Sequence, residues 1–167
     1  MVPHPDQQIF IISCAVITIS DSRTRETDQS GRIIQDILVE NGHRIHQYQI
    51  LRDEPQQILE IVHQLGQISD LDAIICNGGT GIAPRDTTYD ILSQILEKTL
   101  PGFGELFRWL SFQEIGSRAM ASRAIAGTYQ NKLIFSLPGS SNAVRLAMNQ
   151  LILPEICHLT KQIKGLI

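Results

Sequence analysis

Ala73-Ile74-Ile75-Cys76-Asn77-Gly78-Gly79-Thr80-Gly81-Ile82-Ala83-Pro84-Arg85-Asp86 is the stretch that decides how this chain folds. Its apolar run, Ala73 to Cys76, reads as a buried strand, and it empties into Gly78-Gly79-Thr80-Gly81. Glycine takes backbone conformations closed to other residues and lets N–H groups approach a ligand. Successive N–H groups turned inward form a concavity for an anion, typically phosphate. Arg85 and Asp86 follow, one a cation for phosphate, the other a carboxylate for a metal ion or a proton. The stretch therefore predicts a phosphate site at the carboxyl end of a strand.

The flanking sequence supplies the rest of the fold. Residues 1–8, with Pro3 and Pro5, read as a loose tail, and residues 9–167 as one domain. Ile9 to Ser20 reads as a strand apolar enough to be buried on both faces. A helix follows from Ser30 to Asn41, with Ile33, Ile34, Ile37 and Leu38 on one face and Gly42 as its stop. Arg44 to Leu51 reads as a second strand. Pro55 opens a helix whose Ile58, Ile61, Val62, Leu65 and Ile68 keep helical spacing. Beyond Asp86, Ile91 to Leu96 mark a helix that Pro101-Gly102 should close. Gly104 to Gly116 reads as a helix with Leu106, Phe107, Leu110 and Trp109 on its apolar side, and Met120 to Ala126 as a short helix or turn. Leu133 to Leu137 is a fourth core strand. The last helix runs to Lys161, with a bend expected at Pro154. Strands alternating with helices predict an α/β fold, a three-layer α/β/α sandwich around a mostly parallel sheet. Ligands in such sheets collect where strands end and the strand order reverses.

Composition narrows the function classes. The chain has 167 residues, 43% hydrophobic and 19% charged, with a net charge of −3, so its basic residues form no broad surface for nucleic acid. The apolar run Ile9 to Ile19, interrupted by Ser13 and Thr18, is too short to span a bilayer. No secretory signal pattern opens the chain, and the three cysteines form no Cys-x-x-Cys pair. A cytoplasmic protein with reduced, packed cysteines is expected, with neither a membrane nor a nucleic-acid partner. The five histidines lack zinc-site spacing; His43 and His46 flank the start of a strand and are expected to face solvent.

Polar clusters follow each core strand, so the fold would gather them on one edge. They are Ser20-Asp21-Ser22-Arg23, Asp53-Glu54, the glycine loop with Arg85-Asp86, and Pro138-Gly139-Ser140-Ser141-Asn142. Ser140, Ser141 and Asn142 precede a helix, where they either cap its free N–H groups or leave those groups to a phosphate. Gly139 favours phosphate by removing a side chain where a ligand would approach. Asp53 and Asp86 are the candidate metal carboxylates, since two carboxylates beside phosphates call for a divalent cation such as magnesium. Each also has a structural reading as a cap or turn, and Asp21 stands evenly between capping and binding. Glu105 either enters the pocket or serves as a helix-start acid. Arg118 and Arg123 are candidate phosphate clamps or surface cations. Phe107, Trp109, Leu110 and Phe112 read as core or subunit interface.

Taken in order, these residues resemble the molybdopterin-binding proteins of the MoaB/MogA type. The matching elements are Ser20 to Thr24, Asp28 to Gly31, Asp53-Glu54-Pro55, Gly78 to Gly81 with Arg85-Asp86-x-Thr88, Pro101 to Glu105, Gly127, and Leu137 to Ser140. They recur from Ile9 to Leu153. The run from Gly102 to Phe112 and the segment Ser122-Arg123-Ala124 look closer to the MoaB branch. The resemblance implies a cytoplasmic trimer or hexamer with a role in molybdenum cofactor biosynthesis. Catalytic relatives use magnesium to transfer AMP from ATP to the terminal phosphate of molybdopterin, releasing pyrophosphate; a transient contact with a molybdate-insertion protein is a further partner the resemblance suggests. Carried over by the resemblance, Asp53 and Asp86 are the catalytic, metal-binding aspartates. Asp21, Ser22, Gly78, Gly79, Thr80, Gly81, Arg85, Glu105, Pro138, Gly139 and Ser140 are substrate- and nucleotide-binding positions. Asn77 departs from the Thr or Ser common before the glycine loop, which implies altered contacts on that side of the pocket. The alternative reading is a MoaB-branch protein that binds or carries molybdopterin without turnover; a vestigial structural oligomer is a third.

Overall fold

A computed structural model describes residues 10–167; the predicted tail at 1–8 lies outside the described residues. Six strands form one sheet in the order β2-β1-β3-β6-β5-β4. They are β1 (Ser13–Ile19), β2 (Arg44–Leu51), β3 (Ala73–Asn77), β4 (Lys98–Thr99), β5 (Ile125–Tyr129) and β6 (Lys132–Leu137). β2, β1, β3 and β6 are mutually parallel, whereas β5 runs antiparallel to both β6 and β4. The chain crosses from β1 to β2 on one side and returns to β3 on the other. The strand order therefore reverses between β1 and β3, which opens a crevice at their carboxyl ends.

The central strands are apolar throughout because both of their faces are covered. Cys14 and Val16 of β1 and Ala73 and Ile75 of β3 pack against Ile34, Ile37 and Leu38 of α1 (Gln29–Glu40). The same layer holds Phe103 and Phe107 of α4 (Pro101–Ile115) and Val144 and Ala147 of α5 (Ser141–Ala147). Ala15, Ile17, Ile74 and Cys76 point the other way, onto Ile58, Ile61, Val62 and Leu65 of α2 (Pro55–Gly66) and Leu92 of α3 (Thr88–Ile95). The period-two alternation thus feeds two cores, and the three-layer sandwich is the observed architecture. Burial pushes the Cys76 thiol up to about 12 and raises that of Cys14 as well, so both are neutral packing groups. Among the described residues no helix is long and apolar enough to cross a membrane.

Several boundaries differ from the sequence reading. The first strand spans Ser13–Ile19 and takes in neither Phe10 to Ile12 nor Ser20; the predicted start at Ile9 lies outside the described residues. Pro101-Gly102 does not close a helix; Pro101 opens α4, where its missing N–H costs nothing. Part of the Met120 to Ala126 segment is a 3-10 turn ending at Ala121, and β5 begins at Ile125. A Cβ on Gly127 would lie 2.9 Å from Leu96 and overlap the Lys98 carbonyl, so glycine is what lets β4 pair with β5. Gln130 and Asn131, both at positive φ (46° and 60°), make the tight hairpin turn between β5 and β6. In place of a single helix to Lys161, a π-helical turn, Met148–Ile152, follows α5, and Pro154 sits in the first turn of α6 (Leu153–Ile163). His43 is half-buried and accepts a hydrogen bond from the Ile12 amide (3.3 Å), whereas His46 is exposed as expected.

Candidate active site

The crevice between β1 and β3 holds a cavity of about 460 Å³. Its walls come from three strand-end loops: Ile19 to Arg23 after β1, Gly78 to Gly81 with Asp86 after β3, and Pro138-Gly139 after β6. Arg118, Ala121 and Ser122 close a fourth side. Ser22, Gly78, Gly79, Thr80, Gly81, Asp86, Pro138 and Gly139 are thus brought together as wall residues. Asp21, Asp53 and Arg85 stand just outside that wall, Ser140 lines an adjoining cavity, and Glu105 lies elsewhere.

The glycine loop takes its shape from close contacts. Gly78 has φ +102°, and a Cβ there would overlap the Ile19 carbonyl oxygen at the end of β1. Its N–H donates to the Leu137 carbonyl at 2.9 Å. A Cβ on Gly139 would come within 3.2 Å of Gly78 Cα. That corrects the reason for glycine at 139: it lets two loops touch as well as opening room for a ligand. Asn77, expected to alter the pocket, is fully buried and faces α1 and β1. Its side-chain oxygen accepts from Ser30 (2.8 Å), and its amide donates to Thr18 Oγ1 (2.9 Å). Asn77 belongs to a buried polar network centred on Asp28, which accepts from Tyr48 Oη (2.6 Å) and the Gly31 amide (3.0 Å). Arg23 joins that network through Asp28 (3.3 Å) and Ser30, and donates to the Gly139 carbonyl at 2.8 Å. Burial opposes ionisation of Asp28, but hydrogen bonds from Thr18, Tyr48, Gly31 and Ser30 outweigh it and hold its carboxyl below the ordinary range.

The carboxylates occupy distinct surroundings. Asp53 is 8% exposed, and its Oδ1 accepts from Thr87 Oγ1 (2.6 Å) and Thr87 N (3.2 Å). Burial raises its pKa despite those bonds, and the charges of Asp86 and Asp21 raise it further. Asp86 Oδ2 accepts from the Ala83 amide at 3.0 Å, and Asp86 Cγ lies 3.0 Å from where a Gly81 Cβ would be. Asp21 accepts from the Asp53 amide (3.4 Å) and pairs with Arg85 at 2.7 Å; Arg85 also reaches Glu54 at 3.4 Å. Arg85 is thus occupied at the rim, in exposed pairs that add little stability. Glu105 is exposed on α4 beside a separate cavity of about 280 Å³ with Tyr89, Arg108 and Ile125.

Ser140 caps α5, its Oγ accepting from the Ala143 amide at 3.3 Å, so its capping role is realised. Arg118 is exposed on the cavity wall. Arg123 is no clamp within the cavity: it binds the carbonyls of Thr80 and Gly81 and pairs with Asp90. Thr88, part of the Arg85-Asp86-x-Thr88 element, fastens the loop through its amide, whereas the contact of Thr87 with Asp53 and the full reach of Arg123 are not evident in the sequence. The hydroxyl directly following Asp86 is the only local signal for Thr87.

A magnesium ion is implied by the resemblance, and the donor set fits one. Burial is the main cause of the raised Asp53 pKa, and the nearby charges of Asp86 and Asp21 add to it, a negative potential that a divalent cation would relieve. Among the described residues no three His, Cys, Asp or Glu converge on one point. Magnesium commonly takes one or two carboxylates and completes its shell with phosphate and water.

A family model described as a probable molybdopterin binding domain matches residues 15–158. The chain belongs to this molybdopterin-binding family. It is 51% identical over 161 residues to molybdenum cofactor biosynthesis protein B of Halalkalibacterium halodurans, covering 96% of this chain and 95% of that protein. A crystal structure of a molybdenum cofactor biosynthesis protein B superposes with a TM-score of 0.92 at 48% identity, over 95% of this chain and 99% of the other. The tungsten cofactor synthesizing protein MoaB from Pyrococcus furiosus gives a TM-score of 0.81 at 33% identity, over 92% of this chain and 98% of the other. A MogA structure gives 0.81 at 29% identity, over 90% and 99%. Within the molybdopterin-binding family the chain is thus similar to MoaB and MogA proteins along nearly its whole length.

Proposed function

We propose that this member of the molybdenum cofactor biosynthesis family is a molybdopterin adenylyltransferase. A terminal phosphate oxygen of molybdopterin attacks the α-phosphorus of ATP; the bond to the bridging oxygen breaks, and pyrophosphate leaves with its electrons. The observation that carries this reading is the placement of Asp86 and Asp53 against Gly81 and Gly79 of one N–H loop, at the strand-order reversal.

The residues divide the work. Gly79, Thr80 and Gly81 offer backbone N–H groups to phosphate oxygens, and Ser22 and Ser122 offer hydroxyls from the cavity wall. Arg23 and Arg118 supply positive charge on the wall, which suits a polyphosphate. Asp86 and Asp53 would hold magnesium, which when bound neutralises charge on the phosphates. Positioning of the two phosphates supplies most of the remaining acceleration. In this reading the protein works in the cytoplasm and hands its product to a molybdate-insertion protein.

One observation favours the carrier reading. Asp53 is engaged by Thr87 and does not line the cavity wall, an arrangement that also suits binding without turnover. The assay supplies molybdopterin, ATP and magnesium, and measures adenylylated pterin and pyrophosphate. Both products support the transferase; tight pterin binding with no pyrophosphate supports the carrier. Neither binding nor turnover supports the vestigial oligomer.

The reading includes a trimer or hexamer. Leu106, Trp109, Phe112 and Ile115 recur on α4, each residue more than half exposed, a stripe suited to a second copy of this chain. Phe107, by contrast, is fully buried core.

A further inference from the structure

The glycine loop is fastened from its back. The Gly79 carbonyl accepts from the Thr88 amide at 3.0 Å. The Thr80 carbonyl accepts from Arg123 Nε at 2.9 Å, and the Gly81 carbonyl from Arg123 Nη2 at 2.6 Å. All peptide bonds among the described residues are trans, so each carbonyl points opposite to the N–H of the next residue. Pinning the carbonyls of 79, 80 and 81 therefore aims the N–H groups of Thr80, Gly81 and Ile82 away from the fasteners. None of those three N–H groups donates to an acceptor among the described residues, whereas the next one, of Ala83, is taken by Asp86.

The guanidinium is itself locked. Nη1 and Nη2 form a two-pronged pair with Asp90 (2.8 and 3.0 Å), and the cation lies 4.6 Å from the Tyr89 ring centroid. Asp90 and Tyr89 belong to α3, so Arg123 ties the loop after β3 to the following helix. Its planar fork meets two carbonyls and one carboxylate at once, which a lysine ammonium cannot reproduce. Four hydrogen bonds and a stacked ring hold one side chain whose fork grips two consecutive carbonyls.

We propose that Arg123 is a positioning residue that sets the glycine loop as an anion cradle, presenting the N–H groups of Thr80, Gly81 and Ile82 to a diphosphate. The proposal rests on the reading of this loop as a phosphate site, and it deepens that reading. Arg123 touches no ligand in this account; it acts through the backbone it holds.

The test uses the full chain and pyrophosphate as probe, followed by calorimetry and by backbone amide NMR. Wild type should bind, with the largest amide shifts at Thr80, Gly81 and Ile82. Arg123→Ala should weaken binding by about tenfold or more and remove those three shifts, since two carbonyls lose their fasteners. Added guanidinium should restore part of the affinity, and Arg123→Lys should recover less than the arginine. If Arg123→Ala does not fold, Asp90→Asn carries the test, with a smaller loss of affinity at the same amides. Unchanged affinity and shifts in the folded variants, or a wild type whose loop amides do not respond, would overturn the proposal. Failure is separable from failure of the transferase reading. Pyrophosphate held by these amides without adenylyl transfer leaves the cradle standing, and undiminished transfer by Arg123→Ala removes the cradle alone.

Discussion

Asp53 and Gly79 are in direct contact: a Cβ on Gly79 would lie 2.9 Å from Asp53 Cγ and overlap its Oδ2. The candidate catalytic carboxylate thus packs where only a glycine backbone leaves room, at φ +64°. Gly79→Ala must strain the loop or displace Asp53. It should cost about 1–3 kcal/mol in urea denaturation and lower phosphate affinity. A variant as stable and as tight-binding as wild type would show that the contact is dispensable.

Asp53→Asn separates stability from chemistry. Burial, then Asp86 and Asp21, raise the folded pKa of Asp53, so ionising it works against the fold. Its contribution is complete below the ordinary aspartate pKa and is lost as pH rises through the raised value. The asparagine keeps an acceptor for Thr87 and loses that dependence. It should match or exceed wild-type stability at pH 7 while adenylyl transfer collapses. Denaturation at pH 7 and pH 4 checks the first part; a loss of several kcal/mol at pH 7 would contradict it.

Asp28 should behave with the opposite sign. Its folded pKa is held down, so its stabilisation is present above the ordinary aspartate value and fades as pH falls towards the lowered one. Asp28→Asn should cost about 1–3 kcal/mol at pH 7, because Tyr48, Ser30 and the Gly31 amide lose a charged acceptor. The gap from wild type should narrow in acid. A gap independent of pH would show that the network does not depend on the charge.

Trp109→Glu tests the stripe on α4. A charge placed among Leu106, Phe112 and Ile115 should break contact between copies and shift sedimentation towards a single 18.7 kDa chain. Secondary structure should be unchanged, since Trp109 is exposed in the isolated chain. If wild type itself sediments as a monomer, the stripe has another role.

Much of this was legible in the sequence where periodicity is strong. The apolar runs of β1 and β3 announce strands covered on both faces, and the helical spacing from Ile58 to Leu65 announces α2. β5 is hard to see in the sequence because Ile125 to Tyr129 is short and has Gly127 at its centre. That glycine makes sense only beside the Lys98 carbonyl, a partner 29 positions earlier in the chain. The wall of the site follows from the rule that polar loops gather at strand ends, so Ser22, Gly78 to Gly81, Asp86, Pro138 and Gly139 meet. Arg85, Asp21, Glu105 and Arg123 were less legible because the reach and direction of a long or exposed side chain are set by tertiary neighbours. Asp90 and the two carbonyls claim Arg123, and Asp21 and Glu54 claim Arg85. Asn77, standing where the family commonly has Thr or Ser, suggests altered pocket contacts that the structure does not place there. Its direction is set by β3, which turns it onto Ser30 and Thr18.

In the proposed transferase, Asp86 makes this loop an enzyme's site as well as a binding site, and one comparison tests that role. Wild type and Asp86→Asn are given molybdopterin, ATP and magnesium, and pyrophosphate release is timed. An asparagine oxygen can still accept from Ala83 N, so the variant should fold and bind pterin as wild type does. Wild type should release pyrophosphate, and the variant's rate should be lower by about a hundredfold or more. Equal rates in the two proteins, or no release from wild type, would contradict that role.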